Sequence, residues 1–252
     1  MTTTESPHLT DEGAQEMAPR ILAGGTEVLR EVGSVLRISE AEAAEDAPVD
    51  AETTIINMGP QHPSTHGVLR LMLELDGETV LRTKPVIGYL HTGMEKTAET
   101  LTYLQGGTNV TRMDYASPIF NELAFCLSAE QLLGLELPPR ATWIRMLMSE
   151  LNRLTSHFLF LATNGMDLGS TSMMIYGWRE REEGLRILEM ITGLRMNHNF
   201  IRVGGTAADL PDGWQARLTE YLDSIPERLE EYEVLMTNQP IWRDRLQGVG
   251  TI

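Results

Sequence analysis

"VLRLMLELDGETVLRTKPVIG", residues 68–88, reads as a β-hairpin. Leu69, Leu71, Leu73 and Leu75 alternate with Arg70, Met72 and Glu74, the period-two signal of a half-buried strand. Asp76-Gly77 supplies a tight-turn pair at its middle. "TTIINM" (53–58) reads as a strand just upstream, and beyond Gly88 the periodicity becomes helical. The expected fold class is α+β, a small N-terminal antiparallel sheet followed by a helical bundle.

Within the helical part, "MEKTAETLTYLQ" (94–105) is expected to form a helix ended by the breaker Gly106-Gly107. "SPIFNELAFCLSAEQLLG" (117–134) opens with Ser117 as N-cap and Pro118 at the first helical position. A helix over about 141–163 carries Trp143, Leu147, Leu151, Leu154, Phe158 and Leu161 as a buried stripe, and Gly165 is expected to stop it. Another covers about 172–198. A last one follows Pro211-Asp212, with Trp214, Leu218, Tyr221, Ile225, Leu229 and Tyr232 on one stripe and Pro226 as a kink.

Three segments follow: an acidic extension (1–50), an antiparallel β domain (51–92) and a helical bundle (93–252). In the extension, "ILAGGTEVLREVGSVLRI" (21–38) is expected to form a short amphipathic piece. The closing "WRDRLQGVGTI" does not read as a natural end, so the bundle is taken as the first part of a longer domain.

The net charge of −16 argues against a nucleic-acid partner, whose phosphates would be repelled. Residues 1–50 hold 11 acids and 3 arginines, or −8, which leaves a mildly acidic body. The one cysteine, Cys126, rules out an intrachain disulfide framework and an iron–sulfur cluster ligated by four thiolates of this chain. There is no GxGxxG nucleotide loop, no signal-peptide-like start and no apolar run approaching the ~18 residues of a membrane span. The chain is therefore expected to be soluble and cytoplasmic, or attached to a membrane through partners.

"GPQHPSTHG" (59–67) lies between two strands. His62 and His66, four apart, would share a helical face and suggest a metal pair, but Pro63 biases His62 away from helix and no third ligand is near. Two readings remain: a turn whose histidines bond to backbone, or a loop presenting an imidazole into a ligand cavity.

Taken together, "GPQHPSTHGVLRL", "GYLHTGMEK", "TRMDY", "PPRATWIR", "NRLTSH" and "MDLGSTS" resemble the D-type subunit family of NADH-quinone oxidoreductase, from about residue 53 onward. Members of this family form the quinone site of respiratory complex I and are related to the large subunit of nickel–iron hydrogenases. The resemblance implies a hydrogenase-large-subunit-like fold and a quinone head group held between the hairpin loop and the bundle. It implies that His66 and Tyr115 each donate a hydrogen bond to a quinone oxygen and that Asp167 partners His66. His62, His91 and Arg112 are carried along as further residues of the cavity or of contacts with neighbouring chains. Where hydrogenases carry a CxxC pair after an arginine, this chain has Arg112-Met113-Asp114-Tyr115-Ala116-Ser117, without cysteine.

The implied partners are other complex I subunits: the one bearing the terminal [4Fe–4S] cluster, a C-type subunit and the membrane protein forming the quinone channel. NADH and flavin belong to other chains, so NAD binding, electron transport and proton translocation are properties of the complex. The implied location is peripheral, on the cytoplasmic side of a bacterial cell membrane. An equivalent protein of a ferredoxin- or deazaflavin-fed complex would carry nearly the same motifs, and a non-catalytic scaffold would be expected to have lost the His66, Tyr115 and Asp167 set.

Each residue also has a plainer reading. Tyr115 could be a core tyrosine, Asp167 could cap the next helix at Ser170, and Glu150, Arg153 and His157 could form a satisfied internal network. Two departures from relatives matter. Thr92 stands where mitochondrial relatives carry arginine, and Asn197 stands where many relatives have a histidine near the terminal cluster, with His198 following it. One residue along a helix turns ~100°, so His198 is expected to face elsewhere. An asparagine cannot become charged, which implies a lower cluster potential with weak pH dependence and favours menaquinone over ubiquinone.

Overall fold

The structure, a computed structural model, describes residues 53–250 together with the backbone of two short strands at 28–31 and 34–37. The chain divides into two compact units, residues 1–92 and 93–252.

In the first unit, β1 (Val28–Glu31) and β2 (Ser34–Arg37) pair antiparallel, Val28 opposite Arg37. These strands fall in the stretch expected to form an amphipathic piece; the rest of the acidic extension lies outside the described residues. β3 (Thr54–Met58), β4 (Arg70–Asp76) and β5 (Thr79–Val86) form an antiparallel sheet in that order. Asp76 pairs with Thr79 across a two-residue turn whose Gly77 has φ 58°, the left-handed conformation that glycine tolerates.

The alternation along β4 does not separate a buried face from an exposed one. Met72, Leu73 and Glu74 are all buried, while Leu71 and Leu75 are only partly so. β4 is the central strand, and its middle is covered on both faces, so burial follows position along the strand rather than parity.

The second unit is helical: α1 (Met94–Ala98), α2 (Tyr103–Val110), α3 (Pro118–Leu133), α4 (Pro139–Asp167), α5 (Ser172–Thr192), α6 (Trp214–Tyr232) and α7 (Pro240–Leu246). A short antiparallel pair, β6 (Ile201–Arg202) and β7 (Gly205–Thr206), follows α5. The core gathers Ile119, Met148, Leu151, Phe158, Met173, Leu188, Ile201 and Tyr221 from α3, α4, α5, β6 and α6. The molecule is thus α+β, with small antiparallel sheets preceding a helical bundle.

Several boundaries differ from expectation for identifiable reasons. The helix expected over 94–105 is two helices. Gln105 Oε1 accepts the Thr102 N–H at 3.1 Å, a capping-box bond that starts α2 afresh. Gly106 and Gly107 do not break a helix but lie buried inside α2, where a Cβ on Gly106 would fall 2.5 Å from the Phe125 ring. Gly165 likewise lies within α4, and a Cβ there would meet the Met173 Cβ at 2.6 Å. These glycines permit close helix approach rather than ending helices.

Trp143 is 69% exposed; the rest of the expected α4 stripe faces the core, Leu151 and Phe158 buried and Leu147, Leu154 and Leu161 partly so, beside buried Ile144, Met148, Thr155 and Ala162. α5 ends at Thr192, because Gly193 adopts φ 82° as its C-cap, so residues 194–198 are not helical. α6 keeps most of its expected stripe, although Leu229 is 47% exposed, and the helix continues through Pro226.

Candidate functional site

The loop between β3 and β4 is organised by His62. Preceding Pro63, it takes the extended conformation (φ −152°, ψ 139°) and heads a 3-10 turn, Pro63–Thr65. Its Nδ1 accepts the Ser64 N–H at 3.1 Å, and its carbonyl accepts the Thr65 hydroxyl at 3.1 Å. Acceptance at Nδ1 places the proton of the neutral ring on Nε2. Buried Thr65 anchors the turn. Gly59 lets the ends of the loop meet, because a Cβ there would lie 2.0 Å from the Leu69 carbonyl oxygen.

His66 ends the turn in the left-handed conformation, φ 52° and ψ 17°, and is exposed. For a side chain with a Cβ that costs about 1–2 kcal/mol. Of the two histidines, His62 heads the turn and follows the turn reading, and exposed His66 ends it in the strained left-handed conformation. The pair does not share a helical face, and among the described residues no group of three or more potential metal ligands occurs. His91, also in the first unit, is exposed in a turn where its N–H donates to the Gly88 carbonyl at 3.0 Å.

Arg112 and Tyr115 lie in the turns between α2 and α3. The Arg112 guanidinium folds back on the C-terminal end of α2, donating to the Thr108 carbonyl at 2.6 Å, where a cation suits the helix dipole. Asp114 shapes the next turn: its Oδ1 accepts the Ala116 N–H at 3.1 Å and its carbonyl accepts the Ser117 N–H at 3.0 Å. Tyr115, between them, is 52% exposed and so is no core tyrosine.

Ser117 caps nothing through its side chain. Its hydroxyl bonds the Ser156 hydroxyl of α4 at 3.1 Å, which fixes the Tyr115 turn beside that helix. Asp167, exposed, is the last residue of α4, eleven residues beyond Ser156 and so about 16 Å of rise further along. The N-cap residue of α5 is Thr171, whose side chain makes no capping bond. Glu150 and Arg153 form an ion pair at 2.9 Å on the exposed face of α4, with His157 exposed beyond it, rather than an internal network.

Asn197 has φ 51° in the coil after α5, so the expected helical rotation between it and His198 does not apply. They differ in burial instead: Asn197 is partly buried and His198 fully so. Burial pushes the His198 imidazole down to about 4, which keeps it neutral near pH 7.

The sequence reading missed a polar row on α3. Glu122, Cys126 and Glu130 recur every four residues, all buried, and each grips the backbone around β6 and β7. Glu122 Oε2 accepts the Phe200 and Ile201 N–H groups at 3.1 and 2.9 Å. The Cys126 thiol donates to the Ile201 carbonyl at 3.5 Å, and Glu130 accepts the Gly204 N–H at 2.7 Å. Burial raises Glu122 to about 7 and the Cys126 thiol to about 11, whereas bonds from Arg145 hold Glu130 below the usual carboxylate range. The signal was present: two glutamates spaced eight apart, on one face, are the only charged residues of α3.

The family model described as the respiratory-chain NADH dehydrogenase 49 kDa subunit matches residues 167–252. The D-type subunit of NADH-quinone oxidoreductase from Frankia alni is 58% identical over 205 residues, covering 81% of this chain and 44% of the relative. The protein of the same name from Saccharopolyspora erythraea is 52% identical over 205 residues, covering 81% and 46%. A D-type subunit from Streptomyces griseus is 57% identical over 203 residues, covering 80% and 46%. The chain spans less than half the length of these relatives. Over about four fifths of its length the chain is thus similar to D-type subunits of NADH-quinone oxidoreductase, and its last third matches the 49 kDa subunit family model.

Proposed function

We propose that the chain supplies quinone-site residues of a proton-pumping NADH:quinone oxidoreductase. The observation that carries this reading is His66, a non-glycine residue held left-handed and exposed at the tip of a loop pinned by His62, Thr65 and Gly59. Backbone strain retained on a braced loop is characteristic of functional positions. Similarity to the D-type subunits suggests the chemistry to which it is put.

A quinone reduced by two electrons gathers negative charge on two oxygens at opposite ends of its ring. In this reading His66 and Tyr115 each donate a hydrogen bond to one of them and then deliver protons as general acids. Asp167 completes the set with His66 and Tyr115 in this reading. His62 positions His66 through the turn, and His91 and Arg112 contact quinone or a neighbouring protein of the complex. Electrons come from a [4Fe–4S] cluster on a neighbouring chain.

Menaquinone is the favoured substrate, because Asn197 cannot ionise and buried His198 stays neutral, so neither lends titrating positive charge to a nearby cluster. The partners in this reading are the cluster-bearing protein, a C-type subunit and the channel-forming membrane protein. The chain sits peripherally on the cytoplasmic side of the cell membrane. Among the described residues no helix is long and apolar enough to cross a membrane, which accords with a peripheral place.

Photolabelling the assembled complex with an azido-quinone tests the site. Labelled peptides are expected to contain residues 59–67 and 112–117, and labelling confined to other proteins of the complex would overturn the assignment. Co-purification with a flavin-bearing NADH module separates this reading from a ferredoxin- or deazaflavin-fed complex.

A further inference from the structure

We propose that Glu122 is a proton-operated latch on the β6–β7 hairpin: uncharged, it holds the Phe200–Ile201 strand shut against α3, and ionised, it loosens that strand.

The geometry is asymmetric along the row that grips the hairpin. At the Glu130 end the carboxylate is fully matched: Arg145 donates to its two oxygens at 2.9 and 2.6 Å, and the Gly204 N–H adds a third bond. The same guanidinium holds the Arg202 and Gly205 carbonyls at 2.7 and 2.8 Å. That end is a permanent clamp, with its charges compensated in place.

At the Glu122 end the carboxyl is equally buried but unmatched. Oε2 takes the two backbone N–H groups, while Oε1 is buried with no hydrogen-bond partner. An ion with one bare oxygen in a water-excluded site is costly, whereas the acid form carries no net charge there.

The charged and titratable groups around it are few. Arg202 on β6 is the cation that favours the carboxylate, and Cys126 and Glu130 lie one and two turns along α3. Arg145 of α4 is engaged by Glu130. α2, which also packs against β6, brings only Tyr103, and that residue is 62% exposed. His198, two residues before Phe200, is buried and neutral near pH 7. Burial therefore outweighs its attractions and places the change of state close to neutrality.

The hairpin carries one proton more when closed than when open across the interval between the two ionisation points. Closure is favoured at low pH and weakens as pH rises towards 7. The segment so controlled includes left-handed Asn197 and buried His198, which enter the hairpin directly.

Amide hydrogen exchange of Phe200 and Ile201 in the full chain, corrected for intrinsic rates, reads the latch between pH 5 and 8. Protection is expected to fall by roughly 70-fold over that range, the share of the change from 4.5 to about 7 that pH 5 to 8 spans. Glu122→Gln should make these two amides insensitive to pH. The Gly204 amide, held by the clamped Glu130, should show no such trend in either protein. Flat protection in the wild type, or an unchanged trend in Glu122→Gln, would overturn the proposal. Should Glu122→Gln fail to fold, a carbon-13 titration of the wild-type Glu122 carboxyl decides: a midpoint near 7 supports the latch, and one near 4.5 refutes it.

Discussion

Arg145 and Glu130 form a two-pronged ion pair between α4 and α3, closest at 2.6 Å, with both side chains almost completely buried. The guanidinium is shared with two hairpin carbonyls, so removing its carboxylate leaves a buried cation facing only dipoles. Glu130→Gln is expected to destabilise the protein by about 3–5 kcal/mol, since breaking a buried pair from one side strands a charge. Urea denaturation measures it; a loss below about 1 kcal/mol would show that the pair contributes no more than a surface bridge.

The α4–α5 contact depends on glycine. A Cβ on Gly177 would lie 2.7 Å from the Ala162 Cβ and 2.8 Å from the Phe158 carbonyl oxygen. Backbone cannot give way as a flexible side chain can, so Gly177→Ala should cost about 1–3 kcal/mol although alanine is the better helix former. A thermal melt that rises rather than falls would contradict the packing.

Two buried groups oppose each other in acid. His198 has a depressed folded value, about 4 against 6.5, so the unfolded chain binds the extra proton and stability falls as pH drops through that interval. Glu122 has a raised value, about 7 against 4.5, so its contribution is complete below 4.5 and is lost as pH climbs to 7. Each effect is about 3 kcal/mol and they run in opposite directions. The wild type should therefore show a shallow combined profile from these two groups. Relative to it, Glu122→Gln should steepen the loss of stability in acid, and His198→Asn should make stability fall towards neutral pH. Parallel profiles for the two variants would refute the assignment.

Tyr115→Phe removes one hydroxyl from an exposed turn whose shape is set by Asp114. Assembly should be unaffected, and quinone reduction should slow by about ten- to a hundredfold, the loss of one donor where charge develops. Asp167→Asn should likewise slow turnover. Unchanged turnover with short-chain quinones in both variants would refute the proposed roles.

Asn197→His restores a titratable ring in the coil leading into β6. Redox titration of the terminal cluster at several pH values should show a raised potential with new pH dependence in the variant and little pH dependence in the wild type. Steep pH dependence in the wild type would remove the argument for menaquinone.

What the sequence by itself determined was local chemistry. The Asp76-Gly77 turn, the strands flanking the histidine loop and the Ser117-Pro118 start of α3 all depend on neighbours in the chain. Pro63 likewise dictated that His62 and His66 could not share a helical face. Six spaced motifs carried the family.

Only the tertiary structure decided what lay across gaps in sequence. Gly106 and Gly165 read as helix breakers, and only the ring or side chain packed against each shows them to be close-approach positions within helices, as the Phe158 carbonyl does for Gly177. The buried face of α4 turned away from Trp143 because its partners on α5 are met through Gly177 and Gly184. Glu122 and Glu130 are the same residue type on the same face of α3. Arg145, supplied by another helix, fixes the charge on one, while the other is left to burial and titrates near neutrality. Ionisation in a dry site is set by long-range neighbours, which periodicity along a single helix does not encode.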